Sequence, residues 1–308
     1  MANLARLPRS NPPSPTPERP VAPTDPDPHW TEWLATARSS ADAAAEVHAR
    51  WRDRLARSGL LGAAVRDKGH ADFVSKVDIE AQVAALAVIR ERHPTHRILA
   101  EESADSGDPG SSSGGGGSAG TPTRTPLWIV DPLDGTTNFL HGHPMFCASV
   151  GLVVDGRPEV GAVTAVATGE RWWGAPGEGA FRNGERIRVS GVEELRSALV
   201  GTGFPFKRLA ELPRYLKEFG RVLPQCTGIR RGGSAALDLC YLAQGSLDAF
   251  WEGHLSSWDI AGGLAILAQA GGCWSRPDGR PLTVADGGPV LAANGPALRA
   301  ELRERLAS

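Results

Sequence analysis

The chain is short of cysteine, of long apolar runs and of net charge, and each shortage excludes something. Its four cysteines, Cys147, Cys226, Cys240 and Cys273, include no C-x-x-C pair, and no histidines stand around them at zinc-ligand spacing. They read as buried, reduced thiols that suit a reducing compartment. No apolar run approaches the roughly 20 residues that span a bilayer. Lys and Arg number 33 against 35 Asp and Glu, a net charge of -2, which argues against a polyanion-binding surface as the main business. There is no G-x-x-x-x-G-K-[ST] loop, so a nucleotide-driven kinase is disfavoured. Residues 1–28 lack an apolar signal-type core and are rich in proline. They read as a disordered tail rather than a leader, with the cytoplasm as the expected location.

What is present is ample apolar material, 41% of 308 residues, in patterned segments. Trp30, Trp33, Leu34, Ala37, Ala41, Ala44, Val47, Trp51 and Leu55 recur at three- and four-residue steps and predict one long amphipathic helix. A second helix is expected after Asp78, capped by the Ser75-x-x-Asp78 pattern, with Ile79, Val83 and Leu86 as its apolar face and Pro94 as its stop. "RILAEES" reads as a short strand ending in acids. The Gly/Ser-rich stretch 103–126 predicts a flexible loop interrupting one domain, because "LWIV" after it looks like a partner of the strand before it.

Two hairpins follow, turning at Asp155-Gly156 and Asn183-Gly184. "ALVGTGF" reads as a strand and residues 212–222 as a helix. "SAALDLCYLAQG" is a helix closed by Gly245, "LDAFWE" a strand and "WDIAGGLAILAQAGG" a helix. The expected fold is layered α/β, one domain of two coupled lobes at about 29–195 and 196–308.

Chemistry concentrates at "LWIVDPLDGTTNF". An apolar run stops at Asp131, Pro132 fixes the backbone, and Asp134 follows. Two carboxylates so close repel unless a proton or cation intervenes. Oxygen donors without histidine or cysteine suit a hard cation such as Mg²⁺, Mn²⁺ or Ca²⁺. The amides from Gly135 to Asn138 open a helical turn and offer an anion seat. A strand ending in an Asx-turn, with Asp134 as a helix cap, is the plainer alternative. Glu101, Glu102, Asp78 and Asp259 each lie where an apolar element begins or ends. Singly, Asp78 and Asp259 suit helix N-caps; together the acids are placed to converge at one edge of the core.

The segments "DFVSKVD", "AEES", "DPLDGTTNF" and "EGHLSSWDIAGG", in that order, resemble the inositol monophosphatase family of lithium-sensitive, Mg²⁺-dependent phosphatases, over about Trp30 to Asn294. The resemblance implies an alternating α-β-α-β-α sandwich of the inositol monophosphatase/fructose-bisphosphatase type, usually a homodimer. It implies two or three Mg²⁺ per subunit, replaceable by Mn²⁺. One ion falls to Glu101, Asp131 and the Leu133 carbonyl, a second to Asp131, Asp134 and Asp259, and a weaker third to Glu101 through water. Thr136 would stand beside the attacking water, Asp78 accept the threonine proton, and Glu101 orient that water. Gly135 and Thr136 would hold phosphate, while Gly233, Ser234, Ala235 and Glu252 would meet the substrate alcohol.

The implied reaction is hydrolysis of a small phosphate monoester, inositol monophosphate foremost, by metal-activated water without a covalent intermediate. Histidinol phosphate, fructose bisphosphate and nucleotide 3′-phosphates are alternatives within that chemistry. An alternative of another class is a protein associated with RNA or the transcription machinery, for which "GIRRGG" and "FPFKR" supply a possible basic patch. The chain departs from the family pattern at Ala100, often glycine, and in the length of the Gly/Ser segment, which puts metal affinity there in question. His141 and His143 read as loop histidines rather than ligands.

Overall fold

The computed structural model describes residues 29–58, 69–104, 125–206 and 208–307, with side chains of 69–75 and 104 excepted. The expected tail and nearly all of the Gly/Ser segment therefore lie outside the described residues.

Helix α1 spans His29–Arg57, and all nine residues of its expected stripe are buried. Helix α2 spans Gly69–Arg92 and corrects the expected start. Asp78 lies inside this helix rather than at its cap. Its buried face is also different: Val77, Ala81, Ala85, Leu86 and Ile89 are buried, whereas Ile79 and Val83 are 50% and 63% exposed. Close packing against α1 admits alanines where larger side chains would not fit, so the small residues carry the contact.

Strand β1 (Arg97–Ala100) leads into the short helix α3 (Glu101–Ala104), and β2 runs over Pro126–Asp134. The two strands pair in parallel, Arg97 opposite Leu127, as expected of segments flanking one insertion. After α4 (Thr136–Leu140), β3 (Cys147–Val154) and β4 (Arg157–Ala165) form the first hairpin, with Asp155 at φ 52° and Gly156 at φ 80°. Strand β5 (Glu170–Ala175) was not anticipated. It precedes the second hairpin, β6 (Gly179–Arg182) and β7 (Glu185–Ile187), which turns at Asn183-Gly184. These seven strands form one sheet in chain order.

The second sheet contains β8 (Leu199–Thr202), β9 (Gly228–Arg230), β10 (Ala249–Leu255), β11 (Cys273–Ser275) and β12 (Gly288–Ala293), in the order β11-β12-β10-β8-β9. Helix α5 (Leu212–Val222) matches its expected span, and α6 (Ala235–Ala243) is followed by Gly245 at φ 78°. The remaining helices are α7 (Ser257–Gln269) and α8 (Pro296–Ala307).

Strand alternation sorts the side chains into three cores. Trp128 and Val130 of β2 face a core shared with α1 and α2, while Ile129 between them faces α6 and α7. Phe250 of β10 enters that same middle core, and its neighbours Ala249 and Trp251 face the layer of α5 and α8. The order is therefore helices α1/α2, first sheet, helices α6/α7, second sheet, helices α5/α8: an α-β-α-β-α sandwich. Of the four thiols, Cys147 and Cys240 are buried, Cys226 and Cys273 only half-buried, and none is in a disulfide.

Candidate metal centre

Asp131 is placed by a defect in β2. Asp131 pairs with Ser149 and Asp134 with Cys147, so three steps on β2 meet two on β3. This one-residue bulge accommodates Pro132, which has no N–H to give a ladder. Within it the Leu133 N–H donates to Asp131 Oδ1 at 3.0 Å, turning the carboxylate along the strand end. Alternation directs Asp131 towards the layer containing α7.

Asp134 is held from α6. Its Oδ2 accepts from the Ser234 hydroxyl at 2.6 Å and from the Ala236 N–H at 2.8 Å. Ser234 is also the N-cap of α6 and accepts from Leu237 N–H. The Ser234 hydroxyl is thus committed to a carboxylate, which leaves main-chain groups of its loop to meet a substrate.

Asp259 sits at the third residue of α7. Ser256 caps that helix, and the Ser256 N–H donates to Asp259 Oδ2 at 2.6 Å, closing a capping box. The helix is drawn against β3 at Gly262, where a Cβ would lie 2.5 Å from Ser149 Oγ. That close approach carries Asp259 to the strand end. Carboxylate oxygens of Asp131, Asp134 and Asp259 lie within 4.8 Å of one another.

Glu101 opens α3, and α2 steadies that turn: the Glu102 N–H donates to Gln82 Oε1 at 3.0 Å, and Gln82 Nε2 donates to Ser103 at 3.0 Å. The electrostatics place Glu101 with the trio. Burial raises Asp131 well above the usual carboxylate range, and Glu101, Asp134 and Asp259 raise it further. Asp134 is pushed up to about 7 by burial and by Asp259, against the lowering bonds from Ser234 and Ala236. Asp78 rises to about 8 through burial and the charges of Glu102 and Glu101. Clustered carboxylates that disfavour one another's ionisation suit a divalent cation, and an all-oxygen donor set suits a hard one. The fit to Mg²⁺ or Mn²⁺ is good.

Next to the acids, Gly135 is left-handed at φ 89°, and a Cβ there would stand 2.6 Å from the Met145 carbonyl. Only glycine suits that position. It caps α4, whose first amides follow the acids as anticipated. The Thr136 hydroxyl donates to the Leu133 carbonyl at 3.0 Å; no bond from Thr136 to Asp78 is present among the described residues. Asn138 Nδ2 ties α4 to the loop before α6, donating to Met145 O at 2.6 Å and Gly232 O at 3.1 Å. Gly233, Ser234 and Ala235 are thereby set beside the acids.

Glu252, on β10, is raised well above its ordinary range by burial and by Asp238, Asp134 and Asp259, so it belongs to the same constellation. The sequence reading missed Asp238, buried on α6 and pushed up to about 8 by burial and Asp134. It also missed His48, whose ring reaches the bulge itself. The signal for both was a polar residue on an otherwise apolar helix face. His141 and His143 lie outside the acid group, as loop residues.

Comparison with known proteins agrees with this geometry. The model of the inositol monophosphatase family matches residues 29–308. The chain is 43% identical over 210 residues to the Nus factor SuhB of Pseudomonas aeruginosa, covering 68% of this chain and 73% of that one. It is 38% identical over 245 residues to an inositol-1-monophosphatase of Synechocystis, covering 79% and 80%. Among solved structures, an inositol monophosphatase from Anabaena superposes with a TM-score of 0.72 at 35% identity, covering 90% of this chain and 96% of that one.

Proposed function

The chain belongs to the inositol monophosphatase family and is a phosphoric monoester hydrolase, and on that premise we propose that it hydrolyses a small polyol phosphate, inositol monophosphate foremost. The observation that carries this is the convergence of Asp131 and Asp134, from the bulged end of β2, with Asp259, from the start of α7, into one oxygen-only cluster.

In this reading Glu101, Asp131 and the Leu133 carbonyl would hold one Mg²⁺, and Asp131, Asp134 and Asp259 would hold another. A third, weaker ion falls to Glu101 through water, and Mn²⁺ can replace Mg²⁺. Bound there, such ions neutralise the carboxylates, lower the pKa of water and bear charge on the phosphoryl oxygens. The rest falls to the chain. The Gly135 and Thr136 amides seat the phosphate. Glu101 orients the attacking water. Thr136 stands beside that water and takes a proton from it as it passes its own hydroxyl proton to an ionised Asp78, which requires the hydroxyl to turn away from the Leu133 carbonyl and the neighbouring acids to be neutralised so that Asp78 is a carboxylate. Gly233, Ser234, Ala235 and Glu252 meet the alcohol; a Glu252 carboxyl raised by burial favours hydrogen bonding with hydroxyls. No covalent phospho-enzyme is required.

The test is phosphate release from a panel of inositol monophosphate, histidinol phosphate, fructose bisphosphate and nucleotide 3′-phosphates, with Mg²⁺ and with EDTA. Fastest metal-dependent turnover of inositol monophosphate supports the reading; metal-independent release from every ester would remove it. We also propose a homodimer, to be read by sedimentation.

A second reading follows from the relative named Nus factor SuhB. Arg231 lies over the rings of Phe204 and Phe206, at 5.3 and 5.1 Å, so the two candidate basic segments do meet. Association with RNA there predicts binding that weakens steeply with salt.

A further inference from the structure

His48 stands in the middle of α1, on the buried side between Val47 and Trp51, and is fully buried. Its Nε2 is 2.8 Å from the Pro132 carbonyl oxygen. A carbonyl only accepts, so Nε2 carries the proton and donates. Burial holds the imidazole at about 4, so near neutrality the ring is uncharged and Nδ1 bears a bare lone pair. That Nδ1 is buried without any hydrogen-bond partner. The ring's surroundings are apolar: Phe146 packs edge-on at 5.8 Å and Phe139 lies at 6.1 Å. A buried, unpaired nitrogen costs free energy that an apolar side chain would avoid, so its presence asks for a reason.

The reason lies in the peptide unit it grips. Pro132 contributes the carbonyl of the Pro132–Leu133 peptide, and Leu133 contributes its N–H. The carbonyl end is held by His48, and the N–H end donates to Asp131 Oδ1. One peptide plane is therefore pinned at both ends, by α1 on one side and by the carboxylate on the other. Rotating that plane would withdraw the donor from Asp131 and re-aim the following Leu133 carbonyl, to which Thr136 bonds.

We propose that His48 is a positioning residue for the metal centre: from α1 it locks the Pro132–Leu133 peptide and so presents Asp131 and the Leu133 carbonyl to the cation. This rests on the metal-site reading above. Supporting groups of this kind typically change metal affinity tenfold to a hundredfold when removed.

The test compares His48→Leu, which fills the space without a donor, with His48→Gln, whose amide reaches to a similar place and donates. Mn²⁺ binding to each purified protein, read by electron paramagnetic resonance of the free ion, is measured with circular dichroism as the fold control. The expected result is a folded His48→Leu protein binding Mn²⁺ about ten- to a hundredfold more weakly. His48→Gln should recover most of that loss, binding tighter than His48→Leu by about tenfold or more, a recovery that loss of packing alone does not produce. Wild-type affinity in His48→Leu overturns the proposal, as does a folded His48→Gln no better than His48→Leu. Should neither variant fold, ¹⁵N-histidine NMR of the wild-type protein decides: an Nδ1–H tautomer overturns the proposal, and an Nε2–H tautomer supports it. Wild-type protein that binds no Mn²⁺ overturns the metal-site reading itself, a result distinct from any of these.

Discussion

Asp131 is the residue on which most depends, since it faces Glu101, Asp134 and Asp259 at once. Asp131→Asn keeps the side-chain volume and removes the charge. It should abolish turnover while circular dichroism stays native, and near-normal hydrolysis by that variant would overturn its assignment as a ligand. The raised carboxyls also set a pH dependence. Asp134 at about 7 and Asp78 at about 8 bind protons in the fold that the unfolded chain, near 3.8, has already released. Their contribution to metal-free stability therefore falls as pH rises through those values. His48, lowered to about 4, acts in the opposite sense, but its change is complete near 6.5. Between pH 6.5 and 8 the carboxyls prevail. The rise in Tm on adding Mg²⁺ should accordingly be larger at pH 8 than at pH 6.5, and an equal or smaller rise at pH 8 would count against cation capture by these acids.

At the scale of elements, the site is a meeting of a bulged strand with four helix starts, those of α3, α4, α6 and α7. Helix α7 supplies Asp259 only because it lies directly on β3. Gly262→Val must push the helix away from Ser149 and Val150, where even a first carbon would be at 2.5 and 3.1 Å. Overpacking of this kind costs about 1–3 kcal/mol. Thermal unfolding should show that loss together with weakened Mn²⁺ binding, since Asp259 moves with the helix. Helix α2 provides a contrast. Ala81 is fully buried and Ile79 half-exposed, so Ala81→Leu should lower stability by about 1–3 kcal/mol and Ile79→Gln change it by no more than about 0.5 kcal/mol. The reverse order in denaturant melts would mean the helix is rotated from the face described.

At the scale of the molecule, five alternating layers give the acids a floor and a wall. The first sheet, α2 and α3 deliver Asp131, Asp134, Asp78 and Glu101, while α6, α7 and β10 deliver Ser234, Asp259 and Glu252. No helix among the described residues is long and apolar enough to cross a membrane. Removing the cation with a chelator should lower Tm without changing the secondary structure, because the cores are built apart from the acids. A chelated protein that loses its helical signal would place the metal within the fold rather than upon it.

Local pattern in the chain was enough for α1, for the two hairpins with their left-handed turn pairs and for α5, because period and turn chemistry act over a few residues. Motif resemblance was enough for the layered fold and pointed to the three aspartates that the fold gathers. What distance along the chain hides was left to the packed molecule. Helix α2 began earlier and buried its alanines because α1 lies against it. β5 emerged between two hairpins as a partner for both. The Ser234 hydroxyl turned to Asp134, and His48 reached a proline carbonyl 84 residues away. Each of these was settled by partners that only folding brings within a few ångströms.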